Sequence, residues 1–308
     1  MSTLFSHFFT KINQISPLEH NFTEVLEAIA LKPKTLYFYG KMPENVVKNE
    51  VSERPKVVAI VGSRHNTRYG EEVAYKLGYE LAKHGVVIVS GLAYGIDSIG
   101  HRAALDAGGC TVAVLGTPID QIYPRKHTGL AREIIEKGGV VISEYGPGAK
   151  VYPQTSFLER NRLISGLADI VVVVEAATKS GTLNTASHAL EQGREVFAVP
   201  GNITSPYSQG CNKLIAQGAN PYTEPDDILR LLFPEDYMKK HKKRAKLKLV
   251  GDTDVETAIL VALGAGLRSG EGIMRATKLP PEVFNQTVTL LEIKGRIRAL
   301  GANNWGLA

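Results

Sequence analysis

Cysteine is scarce in this sequence. Cys110 and Cys211 are the two present, in separate segments and without metal-ligand spacing. A disulfide framework and a zinc site are both disfavoured, and a reducing, cytoplasmic setting is expected. Long apolar runs are missing too: the longest aliphatic stretch, Ile170–Val174, is far too short to cross a bilayer. The opening MSTLFSHFFTKIN lacks a basic start followed by an apolar core, so neither secretion nor membrane insertion is expected. GxSxG is absent, which removes the nucleophile elbow of a serine hydrolase, and no GxGxxG follows the first apolar strand. Asp97 and His101 stand four apart on one helix face, but no further ligand falls at matching spacing; Asp97 reads as an N-cap, and no metal or cofactor is expected.

Unbalanced charge is confined to one stretch. The formal net charge is +5, yet Lys239–Lys248, KKHKKRAKLK, holds seven Lys or Arg and no acid, so the remainder is slightly acidic. Such a run reads as a solvated linker, or as a sequence-independent tether for a polyanion.

What is present is repeated alternation of strand and helix. The 308 residues suit one large domain and a small one. Val57–Arg64, VVAIVGSR, is a short apolar run closed by Gly, as in a parallel strand buried on both faces. Strands are likewise predicted from Val86, Thr111, Val140, Ile170 and Val196, giving six. Helices are predicted over Glu71–His84, Asp97–Ala107, Leu130–Lys137, Phe157–Leu167, Thr182–Gln192, Asn212–Gln217 and Asp226–Phe233. This is the pattern of an α/β, doubly wound, mainly parallel sheet. Residues 1–54 are expected to form a lead-in, with an apolar helical patch at Phe22–Leu31 and an aromatic strand at Thr35–Tyr39. The large domain covers 55–234, the basic linker 235–253 and the small domain 254–308. Three helices and a hairpin, with Asn303 and Asn304 at the turn, describe a winged helix in the last of these. Its third helix offers Glu282, Asn285, Gln286 and Thr289 and is short of cations, although Lys294, Arg296 and Arg298 can touch phosphate. DNA binding and a protein-contact role both remain open for it.

Three glycine-containing loops, GSRHNTRYG, SGLAYGID and SGTLNT, are expected to converge at one sheet edge. There their backbone amides, the hydroxyls of Ser63, Ser90, Ser180 and Thr182, and the cations Arg64 and Lys179 suit phosphate groups. The plain alternative is that the glycines only permit tight turns, and for SGLAYGID alone that alternative is preferred. FLERNRLISGLA adds Phe157, Arg160 and Arg162, an aromatic beside cations, which is how proteins hold single strands. One of these two arginines is expected to pair internally with Glu159 or Glu175.

IVGSR at Ile60, SGLAYGID at Ser90, Tyr123-Pro124, ISEYGPG at Ile142, FLERNRLISGLA at Phe157, EAATKSGTLNTASHALEQGR at Glu175, VPG at Val199 and GCNKLIAQGA at Gly210 occur in order. With them the chain resembles the DNA-processing protein A (DprA, also called Smf) family over about Leu36–Phe233. The resemblance implies a Rossmann-like domain with a C-terminal winged helix. It also implies a cytoplasmic, non-enzymatic homodimer that binds single-stranded DNA, protects it in natural transformation and loads the RecA recombinase. By the same resemblance Gly62 and Ser63 supply a tight loop, Arg64 holds a phosphate and Phe157 stacks on a base, while Arg160, Arg162, Lys179, Ser180 and Gly181 border the pocket. Gln154 stands where members often carry a basic residue. The rival within the same superfamily is a nucleotide phosphoribohydrolase with a PGGxGTxxE motif. Here the stretch is KSGTLNT, with Thr185 where that motif needs its Glu.

Overall fold

The computed structural model describes residues 11–44, 46–47, 50–51, 54–235 and 249–307. The basic run Lys239–Lys248 and the side chain of Gln154 lie outside the described residues. The chain divides into two compact units, Met1–Leu232 and Phe233–Ala308.

In the first unit the elements are β1 (Asn13–Ile15), β2 (Leu36–Gly40), β3 (Val46–Val47), β4 (Glu50–Val51), β5 (Val57–Val61), α1 (Arg68–Lys83), β6 (Val87–Ser90), α2 (Ile96–Asp106), β7 (Thr111–Leu115), α3 (Thr128–Glu136), β8 (Val140–Ser143), α4 (Pro153–Leu167), β9 (Ile170–Val173), α5 (Thr182–Glu191), β10 (Glu195–Ala198), α6 (Gln209–Ala216), β11 (Asn220–Pro221) and α7 (Asp226–Leu232). Among the described residues, a nine-stranded sheet runs β1-β2-β8-β7-β6-β5-β9-β10-β11. It is parallel from β8 through β11 and antiparallel at β2 and β1. From β5 the chain winds outward through β6, β7 and β8, then returns to β9 on the other side of β5 and winds outward again. The β5/β9 boundary is therefore the switch point, the place in an open α/β sheet where a crevice forms at the strands' carboxyl ends.

The predicted parallel strands are all present. Each is mainly apolar, with polar residues only at its ends (Ser90, Thr111, Ser143 and Glu195), because both sheet faces are covered. Val112, Val114, Val140 and Ile142 face a core shared with Leu163 and Leu167 of α4 and Ala186 of α5. Ala113, Leu115 and Val141 face the opposite core, with Leu105, Leu130 and Ile134. The stretch 22–31 is not an α-helix: a 3-10 turn, Glu24–Ala28, replaces it, and Phe22, Leu26 and Ile29 enter the first core. Residues 13–40 are thus woven into the sheet and core of the first unit. α1 begins three residues earlier than its apolar spacing suggests, because the Thr67 hydroxyl accepts the Gly70 amide at 3.2 Å and caps the first turn.

The second unit holds α8 (Asp254–Gly264), α9 (Gly270–Thr277), α10 (Pro281–Ile293) and the antiparallel pair β12 (Ile297–Gly301) and β13 (Asn304–Leu307), a winged-helix arrangement. Ile259, Leu263, Ile273, Phe284, Val288 and Leu291 form its core. The turn falls on Ala302 and Asn303, both at positive φ (48° and 56°), so Asn304 already belongs to the strand. Lys294, expected toward phosphate, is engaged inside the unit: its Nζ lies 2.6 Å from both Asp252 and Glu256. Glu256 is buried, so its charge needs a close partner, and Lys294 is the cation that supplies it.

His101 is fully buried in α2, with Nδ1 2.7 Å from the Thr111 hydroxyl. That hydroxyl donates to the Ile88 carbonyl at 2.7 Å, so His101 is the donor through Nδ1. Burial, reinforced by His127 and Arg160, lowers its pKa from 6.5 to about 3. The unfolded chain then takes up a proton below 6.5 that the folded chain refuses, and stability falls as pH drops from 6.5 toward 3, by up to about 1.4 kcal/mol per pH unit. Denaturant titrations between neutral pH and about pH 5 are expected to show a shallower decline for His101→Gln than for the parent chain.

Candidate functional site

A cavity of about 600 Å³ lies where β5 and β9 end. Its floor is the corner Gly62-Ser63-Arg64 after β5, and its far wall is Ser180-Gly181-Thr182, which opens α5. Thr182 joins the two, its hydroxyl donating to the Gly62 carbonyl at 3.1 Å. Along α4, Phe157, Arg160, Asn161 and Ile164 all line the cavity; their spacing of three and four places them on one helix face.

The loop after β6 fixes the corner. Gly95 has φ of +74°, and a Cβ there would run into the Ser63 carbonyl and the Arg64 backbone, so glycine is required for the close approach. The Ile96 amide donates to the same Ser63 carbonyl at 3.2 Å. This loop thus does more than turn: it sets the backbone from which Arg64 projects. Behind the corner, buried Glu175 accepts the Thr67 amide at 2.9 Å and the Thr67 hydroxyl at 2.5 Å, which anchors the start of α1.

Arg64 is exposed and lies 5.7 Å from the centroid of the Phe157 ring, a cation over an aromatic face. Phe157 is half-buried; a Cβ on Gly116 would strike its ring, so the loop after β7 makes the space it occupies. Tyr123 packs against it at 5.2 Å between centroids with a tilt of 37°.

Arg160 differs from Arg64 in kind. It is buried, and its Nη1 donates to the carbonyls of Gly91, at 2.7 Å, and Val114. Burial lowers its pKa to about 10; Asp97 opposes that shift and Arg64 adds to it. Asp97 is buried as well, and burial raises its pKa against the pull of Arg160 and of the Ala93 and Gly91 amides. Its carboxylate accepts the Gly91 amide at 3.1 Å. Asp97 is therefore not the N-cap of α2, a position held by Gly95; it caps the preceding loop and balances Arg160. Among the described residues no group of His, Cys, Asp and Glu is arranged to hold a metal ion.

The other expected residues separate. Arg162 is not in the cavity lining; its guanidinium makes a two-pronged pair with Glu144, at 2.6 and 3.1 Å. The internal partner is thus neither Glu159, which accepts the Tyr145 hydroxyl, nor Glu175. Lys179 is exposed beside Ser180 but is not part of the lining. Ser90 is buried, donating to the Ile60 carbonyl at 2.6 Å, and is out of a ligand's reach. Asn161 went unnoticed in the sequence although it stands four residues after Phe157; its amide reaches the Gly181 carbonyl at 3.4 Å and Asn184 at 3.2 Å.

Comparison with known proteins places names beside this geometry. The family model for DNA recombination-mediator protein A matches residues 13–233, and the model for the DprA winged helix domain matches 243–303. Protein Smf of Escherichia coli is 50% identical over 176 residues, 57% of this chain and 46% of that protein. A putative DNA processing protein DprA of Mycobacterium tuberculosis is 40% identical over 256 residues, 80% of this chain and 65% of that one. The chain therefore spans between about half and two thirds of these curated relatives' length. The solved structure of DNA processing protein A from Helicobacter pylori, which concerns that protein's single-stranded DNA binding mode, superposes with a TM-score of 0.63 at 30% identity, covering 75% of this chain and 98% of that one.

Removing the carboxylate beneath the cavity is expected to leave the Gly91 and Ala93 amides without their acceptor and to weaken the setting of buried Arg160. Asp97→Ala should lower unfolding stability by about 3 kcal/mol, measured by urea titration, while an exposed-site control such as Lys179→Ala should change it by less than about 0.5 kcal/mol.

Proposed function

The chain belongs to the DNA recombination-mediator protein A family, and on that footing we propose that it is a single-stranded DNA-binding protein whose site is the cavity at the β5/β9 switch point. The observation that carries this reading is the exposed Arg64 guanidinium 5.7 Å from the half-buried Phe157 ring, at the mouth of a cavity of about 600 Å³. A base stacks on the ring while the backbone phosphate meets the guanidinium and the amides of Gly62, Ser63 and Gly181. Arg160 lies in the same lining, its Nη1 engaged by the Gly91 and Val114 carbonyls. Arg162 and Lys179 belong to the same reading only as more distant charges.

The chain acts without catalytic turnover in this reading. Asp97 is the one carboxylate in the described lining; it is buried and engaged by backbone amides, so it is not poised to activate water. Thr185, where the related hydrolases need Glu, is buried in the lining. Following the family resemblance, the protein works in the cytoplasm as a homodimer, protects incoming single strands and passes them to RecA. No helix among the described residues is long and apolar enough to cross a membrane.

Fluorescence anisotropy with oligo-deoxythymidine tests the site. Arg64→Ala should weaken binding by at least tenfold, and the logarithm of the affinity should fall with the logarithm of salt at about 0.7 per phosphate neutralised. Unchanged binding by the variant would remove Arg64 from the interface. Incubation with AMP and other nucleoside monophosphates should release no free base; steady release would replace the binding reading with an enzymatic one.

A further inference from the structure

Beyond Phe157 the surface continues rather than closes. Tyr123, 49% exposed, packs on Phe157 on one side and lines a second cavity, of about 800 Å³, on the other. A small notch bordered by Arg64, Tyr94, Tyr123 and Phe157 lies at the junction on the first side. The two rings meet at a tilt of 37°, so their outer faces turn progressively instead of stacking flat, and successive bases can follow one face and then the next.

The second cavity carries its own cation. Arg125 lines it, is exposed, and has no acidic partner among the described residues; Lys126 beside it is exposed as well. Asp120 also lines the cavity, with its carboxylate accepting the Gly148 amide at 3.1 and 3.3 Å, so the exposed Lys126 beside Arg125 is what leaves this rim net cationic. An exposed aromatic ring and an exposed guanidinium thus line this cavity together, as Phe157 and Arg64 line the first. A stacking platform next to a phosphate-binding cation is the recurring unit of single-strand tracks.

We propose that the cavity beyond Tyr123 is a second nucleotide subsite of the same strand, with Tyr123 as its stacking platform and Arg125 as its phosphate ligand. The assignment rests on the single-stranded DNA reading given above. It requires that a strand long enough to leave the first cavity gain affinity from this surface, and that a short one gain none.

The test is a set of anisotropy titrations with a thymidine tetranucleotide and a thymidine dodecanucleotide against the parent chain, Arg64→Ala, Tyr123→Ala, Tyr123→Phe and Arg125→Ala. Arg125→Ala should weaken dodecanucleotide binding by about tenfold and leave the tetranucleotide unchanged, Tyr123→Ala should weaken the dodecanucleotide by at least about tenfold more than the tetranucleotide, and Tyr123→Phe should retain the parent affinity. Parent affinity of both alanine variants for the dodecanucleotide would overturn the second subsite and leave the first intact. Equal loss on both lengths in Tyr123→Ala, with no loss in Arg125→Ala, would make Tyr123 a prop for Phe157 and also overturn it. Failure of the parent chain to bind either oligonucleotide, or indifference to Arg64→Ala, would instead bring down the underlying single-strand reading.

Discussion

A buried guanidinium holds this site together. Arg160 reaches from α4 to the carbonyls at the ends of β6 and β7, and the carboxylate that balances it, Asp97, caps the loop between β6 and α2. The ends of β6 and β7, the start of α2 and the helix bearing Phe157 are therefore tied together around one buried guanidinium. In a low-dielectric setting such a cluster is tolerated only when its hydrogen bonds are in place, which makes the relative placement of those loops difficult to vary. Arg64, in the same lining, is exposed and makes no ion pair among the described residues.

The same architecture separates charges that look equivalent along the chain. Arg160 and Arg162 are two residues apart, so on a helix they point in very different directions, one into the sheet's carboxyl edge and the other toward Glu144. Arg64 and Lys179 both follow strand ends, yet Arg64 lines the cavity and Lys179 does not. In the second unit, Lys294 is bound to Asp252 and Glu256, so α10 is left with little positive charge to offer a groove.

Much of the fold was legible in the sequence because its strands are buried on both faces. Val57–Val61 and Ile170–Val173 are unbroken apolar runs, and that signal depends on composition alone. β1 and β11 were not legible: at three and two residues they are defined by backbone pairing to β2 and β10 and carry no periodicity. At the site, Gly62, Ser63, Arg64 and Phe157 could be picked out by their loop and helix chemistry. The roles of Asp97 and Arg162 could not, since each is decided by a neighbour from another element. Gly95 was legible as a turn glycine, but its closeness to the Ser63 carbonyl arises only once the two loops meet.

The brevity of the outermost strands has a consequence for self-association. A long bare edge would offer a row of amides and carbonyls to a second molecule, whereas β1 at one border and β11 at the other extend for three and two residues. Among the described residues, neither border of the nine-stranded sheet therefore presents more than a short row of backbone groups to a neighbouring strand.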